Sequence, residues 1–140
     1  MYRVCLGTRL LQANRVRARD GMATILIVED EEPVRHFLAL LLKDAGHHVL
    51  QAMHGAKALE LVDQERPDLV ISDVMMPVLN GAELCKLLKA RADTQAIPVI
   101  LMSAAGRQAA GGAGADAFID KPFELEDMEA LVQHWLQVGT

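Results

Sequence analysis

Aromatic side chains are scarce: three Phe, one Tyr and one Trp make up 4% of 140 residues, against 51% apolar residues in all. Any core must therefore be aliphatic, built from Leu, Val, Ile, Ala and Met. Cysteine is nearly absent. Cys5 and Cys85 form neither a CxxC pair nor a metal-ligand spacing, which excludes a disulfide framework and fits a reducing, cytoplasmic setting. Long apolar runs are missing as well. The longest, Phe37 to Leu42, is far too short to span a bilayer, and residues 1–21 lack the continuous apolar stretch of a signal peptide. The five histidines (His36, His47, His48, His54, His134) show no ligand spacing and read as surface or partly buried side chains.

What is present is one domain's worth of chain. A domain of this length buries roughly two thirds of its unfolded surface, enough for a self-supporting core. The net charge of −5 is unevenly spread. Residues 1–22 hold five Arg and one Asp, a balance of +4, and the remainder carries −9. An acidic body argues against nucleic-acid binding by the domain itself. Residues 1–22 have no clean periodicity and are expected to form a basic, disordered extension, with the domain at 23–138. Met22 stands just ahead of the first apolar run and could be the start of translation. A basic arm that touches a partner or an anionic surface is the alternative.

From Thr24 onward strands and helices alternate. Thr24–Val28 has no polar alternation, as expected for a strand buried on both faces. Pro33 suits the first turn of a helix whose apolar residues Val34, Phe37, Leu38, Leu41 and Leu42 repeat at helical spacing, and Gly46 ends it. His48–Ala52 reads as strand two and Ala56–Glu65 as helix two, with Ala58, Leu59 and Val62 inward. Pro67 blocks its continuation. Asp68–Ser72 is predicted as strand three and Gly81–Arg91 as helix three, with Leu84, Leu87 and Leu88 on one face. Ile97–Met102 and Ala115–Ile119 follow as strands four and five. Glu124–Leu136 closes the pattern, with Leu125, Met128, Leu131, Val132 and Trp135 as the apolar stripe and acidic residues in its first turn. Cys85 is expected to be buried on helix three and Trp135 to pack at the end of the last helix. Between strands four and five, Gly111, Gly112 and Gly114 crowd the fourth crossover. Glycine costs ~1 kcal/mol in a helix interior relative to alanine, so a fourth helix should be short, frayed or partly formed.

Strand–helix alternation implies right-handed crossovers and a parallel sheet covered on both faces. Five short strands suit the flavodoxin-like order 2-1-3-4-5. In that order strands one and three are neighbours, so Glu29-Asp30 and Asp73 converge at their carboxyl ends, where such folds bind ligands. Like charges ~4 Å apart repel by ~4 kcal/mol at an effective dielectric of ~20. The pattern therefore calls for a hard divalent cation.

Four landmarks share that sheet edge: Glu29-Asp30, Asp73, Ser103 and Lys121-Pro122. With the segments Ile25 to Glu31, Asp68 to Pro77 with Gly81, Leu101 to Ala104, and Phe118 to Phe123, the chain resembles the receiver domain of two-component response regulators over about residues 23–138. The resemblance implies that Asp73 accepts a phosphoryl group from a phosphohistidine. Asp30, Asp73 and the backbone carbonyl of Met75 would hold Mg2+ or Mn2+, with Glu29 acting directly or through water. Lys121 would pair with a phosphoryl oxygen, and Ser103 would donate its hydroxyl to the phosphate. Pro77 and Gly81 would shape the loop after Asp73, and the Lys121-Pro122 bond would be cis, turning the ammonium inward. Ser103 and Phe118 would form the switch, altering the face of helix four, strand five and helix five.

Two departures from the family pattern stand out. Ser103 to Lys121 spans 18 residues, about one helical turn fewer than usual, which puts dimerisation through the usual output face in doubt. Met75 and Ala105 occupy positions that tune acyl-phosphate hydrolysis, and neither can hold a water by hydrogen bonding, so slow self-dephosphorylation is expected. The resemblance implies a cytoplasmic, non-enzymatic signalling protein, a monomer or weak dimer. Its partners would be a histidine kinase or histidine phosphotransfer protein, docked on helix one and the loop after strand five, and a downstream protein target. Only Gln137 to Thr140 follows the last helix, so a stand-alone receiver is expected. A receiver excised from a larger hybrid kinase or regulator, and a non-phosphorylated binding module, are the alternatives. An aspartyl-phosphate phosphatase would need a second Asp where Met75 stands.

Overall fold

Three apolar runs without polar alternation are buried along their whole length: β1 (Thr24–Val28), β3 (Leu69–Asp73) and β4 (Val99–Ser103). In the computed structural model, which describes residues 22–138, these are the three central strands of a parallel sheet. β2 (His48–Ala52) and β5 (Ala117–Asp120) are the edges, giving the order β2-β1-β3-β4-β5. All four pairings are parallel. This is the flavodoxin-like order expected from the alternation of elements. The expected basic extension lies, apart from Met22, outside the described residues.

Alternation along each strand divides the core into two layers. Leu26, Val28, Val70, Val99 and Leu101 face helices α2 (Gly55–Gln64) and α3 (Gly81–Ala90). Ile25, Ile27, Ile71, Ile100 and Met102 face α1 (Glu32–Asp44) and α4 (Leu125–Val138). Cys85 is fully buried among the first set, and Trp135 packs against the second.

The helix faces differ from the expected stripes in detail. On α1 the buried residues are Arg35, Leu38, Ala39 and Leu42, while Phe37 is half exposed. On α3 Cys85 takes an inward place and Leu87 is exposed. Hydrophobic spacing located each helix and oriented α2 (Ala58, Leu59, Val62) and α4 (Met128, Leu131, Val132, Trp135) correctly, but left the rotation of α1 and α3 ambiguous by about one residue. Helix ends are capped by local chemistry. Asn80 and Glu83 form a reciprocal capping box on α3, and His54 Nδ1 accepts from the Lys57 amide at the start of α2. Gly46, at φ +98°, ends α1 by donating to the Lys43 carbonyl.

The fourth crossover is a single 3-10 turn, Arg107–Ala110. The glycines explain it: Gly106, Gly111, Gly112 and Gly114 all have positive φ, which a helix cannot contain. A polar clasp closes the gap beneath it. Lys89 Nζ on α3 donates to the carbonyls of Gln95 and Ile97 and to Asp116 Oδ2 just ahead of β5. The same oxygen accepts the Val99 amide.

Candidate functional site

Each chemical side chain sits where a strand stops. β1 ends at Val28 and delivers Glu29 and Asp30; β3 and β4 end on Asp73 and Ser103; Lys121 follows β5. Because β1 and β3 are hydrogen-bonded neighbours, one oxygen each of Glu29, Asp30 and Asp73 lies within 4.8 Å of the others. Asp30 is exposed, whereas Glu29 and Asp73 are buried. Lys121 Nζ bridges the two buried groups, 2.9 Å from Glu29 Oε1 and 3.1 Å from Asp73 Oδ1.

Electrostatics follow from this crowding. Burial raises the pKa of Asp73 above the ordinary aspartate value; Asp30 and Glu31 add to the effect and the Lys121 contact opposes it. Burial raises Glu29 as well, again opposed by Lys121. For Lys121, burial works against the charge, but hydrogen bonds to Glu29 and Asp73 outweigh it and hold its pKa above the usual lysine value. One ammonium thus faces three carboxylates, and the pocket remains short of positive charge.

The donor set, carboxylate oxygens only, fits a hard cation such as Mg2+ or Mn2+ and offers nothing for a soft one. Glu29 is the least free of the three. Its Oε1 is engaged by Lys121 and its Oε2 accepts the Glu31 amide at 3.2 Å.

The loop after Asp73 is tightly wound. Met76 donates to the Val74 carbonyl, and Leu79 to the Pro77 carbonyl at 2.8 Å. The second is a γ-turn centred on Val78, whose φ is +68°. A β-branched residue is strained there. Gly81 allows the loop to fold back: a Cβ at this position would collide with the Asp73 carbonyl and lie 3.0 Å from Val74 Cα. Met75 stands in this loop with its side chain exposed, and Pro77 is exposed beside it.

Ser103 is buried, and its Oγ accepts the Ala105 amide at 3.0 Å. The Ser103 carbonyl accepts the Lys121 amide, tying the two site loops together. The Lys121-Pro122 bond is cis. Phe118 lies opposite Leu101 across β4 and β5 and is partly buried. Sequence reasoning overlooked Arg35, whose Nη1 donates to the Glu29 carbonyl at 2.8 Å. The available signal was a charge at a core position: Arg35 shares the face of Leu38, Ala39 and Leu42.

A parallel doubly wound domain with an acidic pocket at the carboxyl edge of strands one and three, a lysine from strand five and a serine from strand four is built like a phosphoacceptor switch of bacterial signalling. The sequence model of the response regulator receiver domain matches residues 25–133, and the chain belongs to that family, the receiver domains of two-component systems. Among relatives, a histidine kinase of Formosa agariphila is 39% identical over 119 residues, which is 82% of this chain and 9% of the kinase. The response regulator MprA of Mycolicibacterium vanbaalenii is 38% identical over 120 residues, covering 83% of this chain and 51% of the regulator. The chain therefore spans about half of one relative and under a tenth of the other. Among solved structures, the receiver domain of a histidine kinase from Syntrophus aciditrophicus superposes with a TM-score of 0.79 at 34% identity, over 83% of this chain and 91% of that one. A chemotaxis response regulator of Vibrio cholerae gives 0.74 at 31%, over 81% and 98%. Members of this family are signalling modules. No helix among the described residues is long and apolar enough to cross a membrane.

Proposed function

We propose that Asp73 is the phosphoacceptor of this receiver domain and that residues 23–138 form the functional unit. The observation that carries this reading is the meeting of three carboxylates within 4.8 Å around a lysine bonded to two of them. An Asp73 oxygen attacks phosphorus as the P–N bond of a phosphohistidine breaks. The imidazole leaves with that bond's electron pair and takes up a proton. Lys121, already 3.1 Å from Asp73, receives a phosphoryl oxygen as charge arrives. Asp30, Asp73 and the Met75 carbonyl would hold Mg2+ or Mn2+, with Glu29 acting through water, since both its oxygens already have partners. When bound there, the ion would supply neutralising charge at the phosphoryl oxygens. Catalysis by this chain is limited to its own phosphorylation and a slow dephosphorylation.

Ser103 swings its hydroxyl toward the new phosphate, and the space it vacates beside β4 is open to Phe118, whose register partner on β4, Leu101, lies two residues before Ser103. The partners are a histidine kinase or histidine phosphotransfer protein and a downstream protein target. The donor docks on α1, where Phe37 and Leu40 are exposed, and on the loop after β5, beside exposed Leu125.

Incubation with Mg2+ and a small acyl-phosphate donor tests the reading. Intact mass should rise by about 80 Da, one phosphoryl group, and Asp73→Asn should show no gain. A gain that survives Asp73→Asn contradicts it.

A further inference from the structure

Asp30 is the one carboxylate of the pocket with no clasp of its own. Among the described residues its side chain makes no hydrogen bond or ion pair, whereas Glu29 and Asp73 are both tied to Lys121. Its position is therefore set by the backbone on either side. The amides on either side are held by the Ala52 carbonyl and by Glu29 Oε2, and the carbonyls of both flanking residues are held by Arg35. Arg35 Nη1 donates to the Glu29 carbonyl at 2.8 Å, and the Arg35 amide donates to the Glu31 carbonyl at 3.0 Å. The amide bond is ordinary helix geometry, available to any residue. The guanidinium bond is not, because it needs a side chain long enough to reach back past the helix N-terminus.

The setting is an expensive one for an arginine. Residue 35 is 8% exposed, and its nearest carboxylate, Glu32, is 4.0 Å away and largely in solvent. A buried cation whose close partner is a carbonyl contributes little net stability. Leu or Met at this face of α1 would serve the core beside Leu38, Ala39 and Leu42 at least as well.

We propose that Arg35 is a positioning residue for divalent-cation binding: its guanidinium fixes the Glu29-Asp30 peptide and so presents the Asp30 carboxylate to Asp73. The inference rests on the reading of the pocket as a Mg2+ site. Groups that hold a ligand in place commonly carry 10–100-fold in metal affinity. Charge and geometry make opposite forecasts here. A cation beside the pocket repels a second cation, so removing charge alone should tighten Mg2+ binding. Loss of positioning should weaken it.

Isothermal titration of the whole chain with Mg2+ alone, without phosphodonor, separates these cases. Arg35→Met keeps the aliphatic stem and removes charge and donor; Arg35→Lys keeps the charge and loses the planar reach. Both should bind Mg2+ about tenfold more weakly or worse. At saturating Mg2+ the rate of phosphorylation by acyl phosphate should return to the wild-type level, because Arg35 acts through affinity and not on the reacting atoms. Unchanged Mg2+ affinity with a lowered Tm would make Arg35 a structural residue and overturn the proposal. Tighter binding in Arg35→Met with unchanged binding in Arg35→Lys would overturn it in favour of charge. If Arg35→Met fails to fold, Arg35→Lys decides alone. Absence of Mg2+ binding by wild type, or binding that survives Asp30→Asn undiminished, overturns the pocket reading together with this one.

Discussion

Two residues of the pocket carry its physical cost. Asp73 and Glu29 have pKa values raised by burial, so the folded protein holds these protons more tightly than the unfolded chain does. Stability contributed by such a group is present below its unfolded pKa and lost as pH rises through the folded one. In the absence of divalent cations, the contribution of Asp73 should therefore fall as pH rises from about the ordinary aspartate value of 3.8 toward neutral. Thermal melts of wild type and Asp73→Asn across that range isolate it. Asp73→Asn should be the more stable at neutral pH, with a difference that shrinks as pH falls; a constant difference would contradict the assignment. His47 works in the other direction. Burial lowers its pKa, so the stability it contributes as a neutral ring is lost as pH drops below its ordinary value of 6.5, and the comparison between variants removes that background. Asp73, Asp30 and Lys121 were legible in the sequence because each follows a short apolar run. Arg35 was not, because an arginine in an amphipathic helix looks like part of its solvated face until the helix's rotation is known.

At the scale of elements, the loop after β3 and the fourth crossover depart most from regular geometry. Val78 sits at φ +68° with its side chain fully in solvent. Nothing in the fold requires valine there, and Val78→Asn should raise stability by about 1 kcal/mol in urea unfolding. Gly81 is the opposite case. Gly81→Ala would drive a methyl group into the Asp73 backbone, and it should cost about 2 kcal/mol or more and slow phosphorylation by displacing the proposed acceptor. The fourth crossover was predicted to be short or irregular from its glycines, and it is a single turn. What sequence could not reveal is the Lys89-Asp116 clasp that seals the space, since the two residues are 27 apart and neither position is patterned. Lys89→Met leaves Asp116 and two carbonyls without this donor and should lower stability by about 2–3 kcal/mol. A loss under about 0.5 kcal/mol would mean water replaces it.

For the molecule as a whole, the sheet edge does the organising. Strand order alone brings Glu29 and Asp30 beside Asp73, more than forty positions away, and hydrophobic periodicity was enough to obtain that order. The register of helix faces and the polar ties between loops depend on side-chain geometry, which composition and spacing do not encode. On the proposed reading the pocket binds a cation in the folded state alone, so saturating Mg2+ should stabilise the whole domain, by about 2.7 kcal/mol at 100 times its dissociation constant. Asp30→Asn should reduce that gain. Equal stabilisation by a monovalent salt at matched ionic strength would indicate screening of the acidic body instead.

The most direct measurement is to map the phosphoryl group itself. The chain is treated with Mg2+ and an acyl-phosphate donor, the acyl phosphate is reduced with borohydride, and the peptides are sequenced by mass spectrometry. Homoserine should appear at residue 73 and at no other aspartate. Homoserine at residue 30, or phosphate retained on a histidine, would contradict the account.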